Sequence, residues 1–289
     1  LGLAKRLQVP DDFFQLSQAI SFQYYNLQNY YTGLFTFGDG ESNNLAYTVN
    51  LTRNNTRVNP IFPTGGSTFS INAKFTPPYS LFSGKDYSNL ASLEEFQDEN
   101  GNPLTEVIDQ ERFRWLEFYK IKFNGTWYAP VYEKLTLKTQ VDFGFIGAYN
   151  LSRGNIPFER FFLGGDGMVS YALDGRETIA LRGYPNQSLS SRDGSNIYNK
   201  FSLELRYPIT LKPSASIYAL TFLEAGNGYN SFREFNPFSS KRSAGAGVRI
   251  FMPAFGLLGI DFAYGFDNVN SNLTTPNGWE THFVIGQRF

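Results

Sequence analysis

Most of this chain alternates between apolar and polar residues. From Lys134 to Gly144, one face carries Leu135, Leu137, Thr139, Val141 and Phe143. The other carries Lys134, Thr136, Lys138, Gln140, Asp142 and Gly144. Successive side chains of a strand point to opposite faces, so this segment is expected to be a β-strand with one apolar face. Phe69, Ile71, Ala73 and Phe75 repeat the pattern, as do Phe201, Leu203, Leu205 and Tyr207, and Leu258, Ile260, Phe262, Tyr264 and Phe266. Eleven such segments are legible, near 1–9, 15–31, 44–54, 66–77, 113–128, 134–149, 196–208, 215–228, 241–252, 257–267 and 279–289. None keeps a helical period of about 3.6 over three turns. The sequence predicts an all-β chain.

A soluble sandwich would also alternate, with its apolar face inward. Three features point instead to a transmembrane antiparallel β-barrel. Many segments exceed the roughly five or six residues usual in soluble strands and are long enough for a tilted membrane crossing. Aromatics gather near segment ends (Tyr24, Tyr25, Tyr30, Tyr31; Trp127, Tyr128, Tyr132), as an interfacial girdle requires. Full charges such as Lys138, Glu204 and Asp261 sit mid-strand on the polar face, which suits a wet lumen.

Connections alternate short and long, and long loops are expected on the outside. That places Phe289 at the periplasmic end and Leu1 on the external side. Single-chain bacterial barrels are even-numbered, and an open sheet would leave unpaired edges in lipid. Residues 1–289 are therefore expected to be the C-terminal portion of one barrel domain, with further strands upstream.

Composition removes several alternatives. Twenty-five Lys+Arg against 26 Asp+Glu give a net charge of −1, so no basic patch is expected to seek nucleic acid. The absence of Cys excludes disulfides, thiolate zinc sites and cysteine nucleophiles within this sequence. A single histidine, His282, argues against a histidine-rich metal site. Although 29 Phe, 18 Tyr and 3 Trp are present, mean hydropathy is only −0.31, and no apolar run approaches the length of a membrane helix. Leu1 to Val9 carries Lys5 and Arg6 within its apolar part and does not read as a signal peptide. His282 alternates to the lumen without a motif tying it to Ser, Asp or Glu, so neither enzymatic chemistry nor a cofactor is expected. The glycines at Gly38–Gly40 and Gly164-Gly165-Gly167 read as turns. The loop acids Asp39, Glu41, Glu94, Glu95, Asp98 and Glu99 read as solvated.

Several motifs are more specific. Glu159-Arg-Phe-Phe-Leu-Gly-Gly165, followed by Leu181-Arg-Gly-Tyr184, resembles the sixth external loop of BamA and its relatives. Phe62-Pro-Thr-Gly65 with Ser67 resembles a turn of the same barrels, and Phe283-Val-Ile-Gly-Gln-Arg-Phe289 resembles their C-terminal strand. Five segments follow the loop, as in that family. The resemblance implies strands six to sixteen of a sixteen-stranded barrel, with the upstream strands and periplasmic POTRA repeats absent. Loop 150–195 would fold into the lumen, where Arg182 would contact Glu204 and Glu224 while Gly183 permits a close approach. The stretch from Asp166 to Ala180 does not match the family residue by residue.

The C-terminal strand, with Phe283 and Phe289 toward lipid and Gly286 weakening its packing, would form a seam that opens laterally. The implied function is folding and insertion of other barrel proteins into the bacterial outer membrane. The implied partners are outer-membrane lipids, nascent barrel proteins and accessory lipoproteins, with no cofactor. The nearest alternative is a TamA-like factor or two-partner-secretion transporter, which shares these motifs, and a passive channel is a third.

Overall fold

The computed structural model describes residues 1–29, 37–56, 59–154, 156, 158–167, 176–212, 214–269 and 274–286. Six strands precede the longest loop: β1 (Gly2–Arg6), β2 (Phe14–Leu27), β3 (Gly40–Asn54), β4 (Gly66–Phe75), β5 (Tyr119–Tyr132) and β6 (Leu135–Gly147). Two short strands lie within that loop, β7 (Phe161–Leu163) and β8 (Glu177–Ile179). Five more follow: β9 (Ile197–Lys212), β10 (Ala215–Tyr229), β11 (Lys241–Met252), β12 (Gly256–Gly265) and β13 (Gly278–Ile285). All except β7 and β8 join one eleven-stranded sheet in chain order, with β9 beside β6. Every pairing in this sheet is antiparallel. Strands β1 and β13 are its two edges. The chain is thus an all-β partial barrel, and its five long loops share one end.

The alternation sorts the two faces. On β9, Ser202, Glu204 and Arg206 are buried while Phe201, Leu203, Leu205, Tyr207, Ile209 and Leu211 are exposed. On β12 and β13, Asp261 and His282 are buried while Phe262 and Phe283 face outward. The polar face is therefore the inner one, and the apolar face is uncovered along most of the sheet. That is the inverse of a soluble core. No helix among the described residues is long and apolar enough to cross a membrane.

The structure departs from the alternation pattern in three places. Segment 113–118 does not belong to β5. Strand β3 extends beyond the end of β4, and the chain at 113–116 takes up the edge left free there. Phe113 O accepts from Ser42 Oγ at 2.6 Å and the Leu116 N–H donates to Asn43 O at 2.8 Å. Upstream of this segment a short helix, α1 (Thr105–Phe113), buries Ile108 against Tyr87, Leu90 and Phe96. At nine residues it is too short to show a helical period over three turns. Finally, the last strand ends at Ile285. Gly286 follows at φ +91°, a left-handed conformation that other residues avoid, and Phe289 lies outside the described residues.

Candidate functional site

Between β6 and β9 the chain turns inward and crosses the inner face of the sheet. Its two halves are held side by side by β7 and β8, which pair in parallel from Phe161↔Glu177 to Leu163↔Ile179. Gly165 and Leu181 then exchange N–H···O bonds of 3.1 Å in both directions. Phe161, Leu163, Leu181 and Tyr184 are fully buried between this ribbon and the wall. The Glu159–Gly165 motif therefore serves as a rail, and it projects Arg182-Gly-Tyr184 as a tip.

Charges tie the base of the loop to the early strands. Glu159 pairs with Lys74 of β4, and also with Lys120 of β5 at 3.2 Å. Lys120 Nζ meets Glu177 at 2.6 Å and lies 4.6 Å from the centre of the Phe161 ring. Lys122 reaches Glu177 at 2.8 Å, and Phe158 stacks on Tyr25 of β2 at 4.4 Å. Burial alone would raise the Glu159 carboxyl, but Lys120 and Lys74 outweigh it and hold the group below the usual range. Glu177 is lowered in the same way by Lys120 and Lys122.

The tip binds the later strands. Arg182 Nη2 donates to Glu204 Oε1 of β9 at 2.8 Å and to Glu224 Oε1 of β10 at 2.7 Å, while Nη1 reaches Asp261 Oδ2 of β12 at 3.3 Å. The Arg182 backbone N–H donates to Glu224 Oε2 at 2.9 Å. The guanidinium carbon also lies over Phe222, 3.5 Å from the ring centre, a cation–π contact. Burial opposes the charge on Arg182, but Glu224 and Glu204 outweigh it and raise the group above its ordinary value. The planar fork of arginine can reach several carboxylates at once; lysine would be a point charge.

Each carboxylate has a second cation from the wall. Arg206 donates to Glu204 at 2.8 Å through Nε, Lys200 lies 3.2 Å from Glu224, and Arg249 grips Asp261 with both terminal nitrogens at 2.7 and 2.6 Å.

Gly183 sits at φ +88°, and a Cβ there would lie 2.8 Å from Ser243 Cβ and 3.1 Å from Gly265 N. Its N–H donates to His282 Nε2 of β13 at 2.8 Å, and its carbonyl accepts from Asn277 Nδ2 at 2.9 Å. Tyr184 OH donates to Arg242 O at 2.6 Å, and burial pushes this phenol up to about 12. Below the tip lies a cavity of about 850 Å³, lined by Lys138, Tyr198, Arg206 and Arg249 among others.

Arg182, Gly183, Tyr184, Glu204 and Glu224 thus come together in the lumen. Phe283 points outward from β13, 54% exposed and away from the tip. Gly286 lies beyond the strand end. Three further contacts were not singled out in the sequence. Asp261 and His282 were legible there only as inward-facing positions, and Asn277 carries no motif. Among the described residues, no cluster of His, Asp and Glu could hold a metal ion.

Comparison with known proteins agrees with this geometry. The Omp85 superfamily domain matches residues 14–289. The chain belongs to the Omp85 superfamily. No curated protein matches it by sequence. Among solved structures, this Omp85 chain is similar to BamA from Haemophilus ducreyi lacking POTRA domains 1–3, with TM-score 0.61 and 17% identity. That match covers 98% of this chain and 52% of the BamA chain. It is also similar to CdiB from Escherichia coli, with TM-score 0.52 and 14% identity, over 98% of this chain and 43% of that one. The Omp85 chain therefore spans about half the length of these relatives, and at such identities the likeness is one of fold.

Proposed function

We propose that this chain is the C-terminal part of a BamA-like insertase that folds and inserts other barrel proteins into the bacterial outer membrane. One observation carries the reading. The tip of loop six is bonded simultaneously to wall strands β9, β10 and β12, through Arg182, and to edge strand β13, through the Gly183–His282 hydrogen bond. A loop so placed couples the shape of the barrel to the strand where a substrate would pair. The action is non-covalent and needs no cofactor. An incoming strand adds to a free sheet edge by main-chain hydrogen bonding, while the short edge strand β13, eight residues long, thins the bilayer beside it. Nascent barrel proteins, outer-membrane lipids and accessory lipoproteins are the proposed partners.

Likeness to CdiB and the polar cavity beneath the tip support a second reading, a transporter whose channel clears when loop six moves. Reconstitution of the full-length protein into vesicles separates the two. The insertase reading expects an unfolded outer-membrane barrel protein to fold several-fold faster than in empty vesicles. No acceleration, together with passage of an unfolded polypeptide across the bilayer, would overturn it in favour of transport.

A further inference from the structure

Loop 230–240, between β10 and β11, folds the opposite way from loop six. It lies over the outer face of the wall. Phe232 packs on Phe145 at 5.3 Å, Phe235 packs on Phe143 at 5.7 Å, and both partners belong to the outward row of β6. Phe235 also packs edge to face on Tyr229 at 5.3 Å, and the outward residues Ile197 and Tyr229 are 1% and 7% exposed. Hydrogen bonds fix it in place. Tyr229 OH donates to Asn236 O at 2.5 Å, Asn227 Nδ2 to Ser239 O at 3.0 Å, and Asn199 Nδ2 to Ser240 Oγ at 3.1 Å. Yet this braced loop leaves Phe232 59% and Phe238 96% exposed, with Arg233 exposed beside them.

Strand β9 fixes the level of these side chains. Its outward apolar row runs from Phe201 to Leu211. At about 3.3 Å per residue and a tilt near 40°, that row spans roughly 25 Å, the height of a barrel's apolar band. Phe143 pairs with Asn199, one row beyond Phe201 toward the loop end. The Phe232 and Phe235 rings therefore meet the upper rim of the band, continuous with the lipid-facing surface. Aromatic rings at the edge of the acyl layer, with an arginine level with the phosphates, are the chemistry of an interfacial anchor.

We propose that loop 230–240 is a membrane anchor, with Phe232 and Phe238 inserted at the boundary between headgroups and acyl chains of the outer leaflet. This rests on the outer-membrane reading of the barrel. The chain contains no cysteine, so Phe238→Cys introduces a unique labelling position in it. The full-length protein, in a cysteine-free background, would carry a nitroxide there in vesicles of phosphatidylethanolamine and phosphatidylglycerol. Accessibility to oxygen and to a water-soluble nickel chelate would then be measured.

The expected ratio of oxygen to nickel accessibility is several-fold higher than at Asn100→Cys in the loop before β5, and close to that at Leu203→Cys within the band. A ratio equal to that at Asn100, with Leu203 still in lipid, overturns the anchor alone. Shielding from both reagents also overturns it and indicates a protein partner. An aqueous reading at Leu203 would instead overturn the membrane barrel itself.

Discussion

The Gly183 N–H donates to His282 Nε2 at 2.8 Å, linking the tip of loop six to the last strand. An amide donor requires that this nitrogen carry no proton. The attachment is therefore present while His282 is neutral and is lost once acid places a proton on this nitrogen. Hydrogen–deuterium exchange at the Gly183 amide should show protection lost between neutral and mildly acidic pH, beyond the intrinsic pH effect. His282→Gln keeps an acceptor that does not titrate, so protection in that variant should persist at low pH. Equal pH dependence in both proteins would refute the histidine's role.

The base of the loop should behave differently. Glu159 and Glu177 are held below the usual carboxylate range by Lys74, Lys120 and Lys122. Their contribution is present above the unfolded value and is lost only as pH falls through the lowered folded value. Mild acid is thus expected to release the Gly183 amide from His282 while the Arg182 contacts and segment 159–163 stay protected, the base releasing only in stronger acid. Simultaneous release of both would show that the loop moves as one body.

Among the described residues, Arg182 is the only cation of the cluster supplied by the loop, and its removal leaves none of the three carboxylates without a wall cation. Arg182→Ala is accordingly expected to detach the tip while the barrel stays folded, in contrast to the about 3–5 kcal/mol usual when a buried pair loses one partner. Arg182→Lys keeps the charge but loses the fork. It should retain one carboxylate contact and give intermediate exchange at 181–184. Exchanging Arg182 and Glu204 should not restore attachment, because an arginine at 204 would face Arg206 and Lys138. Thermal melting of the three variants, beside exchange, checks this. A melting loss in Arg182→Ala as large as that from Glu204→Ala would show that the wall cations do not compensate.

How much of this was legible follows from what each signal encodes. Period-two alternation reports the pleat and a difference between the two faces, so it located the eleven sheet strands and pointed Glu204 inward. It says nothing about distance across the lumen. Asp261 was visible as an inward charge, but its contact with Arg182, 79 positions away in sequence, depends on how the sheet curves. His282 carries no catalytic motif in the sequence, because a histidine that accepts one backbone hydrogen bond needs none. Strands β7 and β8 span three residues each, too few to display a period. Phe62 was read only as part of a family-like turn, yet its side chain closes a lumen cluster.

Phe62 is 1% exposed and packs against Tyr218 at 5.2 Å, edge to face, in a cluster with Leu220, Phe222 and Ala263. Its turn is shaped by Asn59 Oδ1, which accepts from the Ile61 and Phe62 amides at 2.9 and 3.2 Å. Phe222 is also the ring beneath Arg182. Phe62→Ala is expected to cost about 3 kcal/mol and to loosen Phe222, so exchange at Arg182 should rise along with the fall in melting temperature. A melting change without any change at the tip would limit Phe62 to a packing role.

Gly183 gives the most direct test of the tip's fit. A Cβ at φ +88° costs about 1–2 kcal/mol in backbone strain, and here it would also press on Ser243 Cβ at 2.8 Å. The two penalties separate. Gly183→Ala should displace the tip from His282 and leave Asn277 without its carbonyl acceptor. Adding Ser243→Gly removes the side-chain clash but not the strain, so the double variant should recover part of the lost protection at 181–184. If Ser243→Gly restores nothing, backbone strain alone accounts for the defect. If it restores everything, close packing against β11 is what demands glycine at the tip.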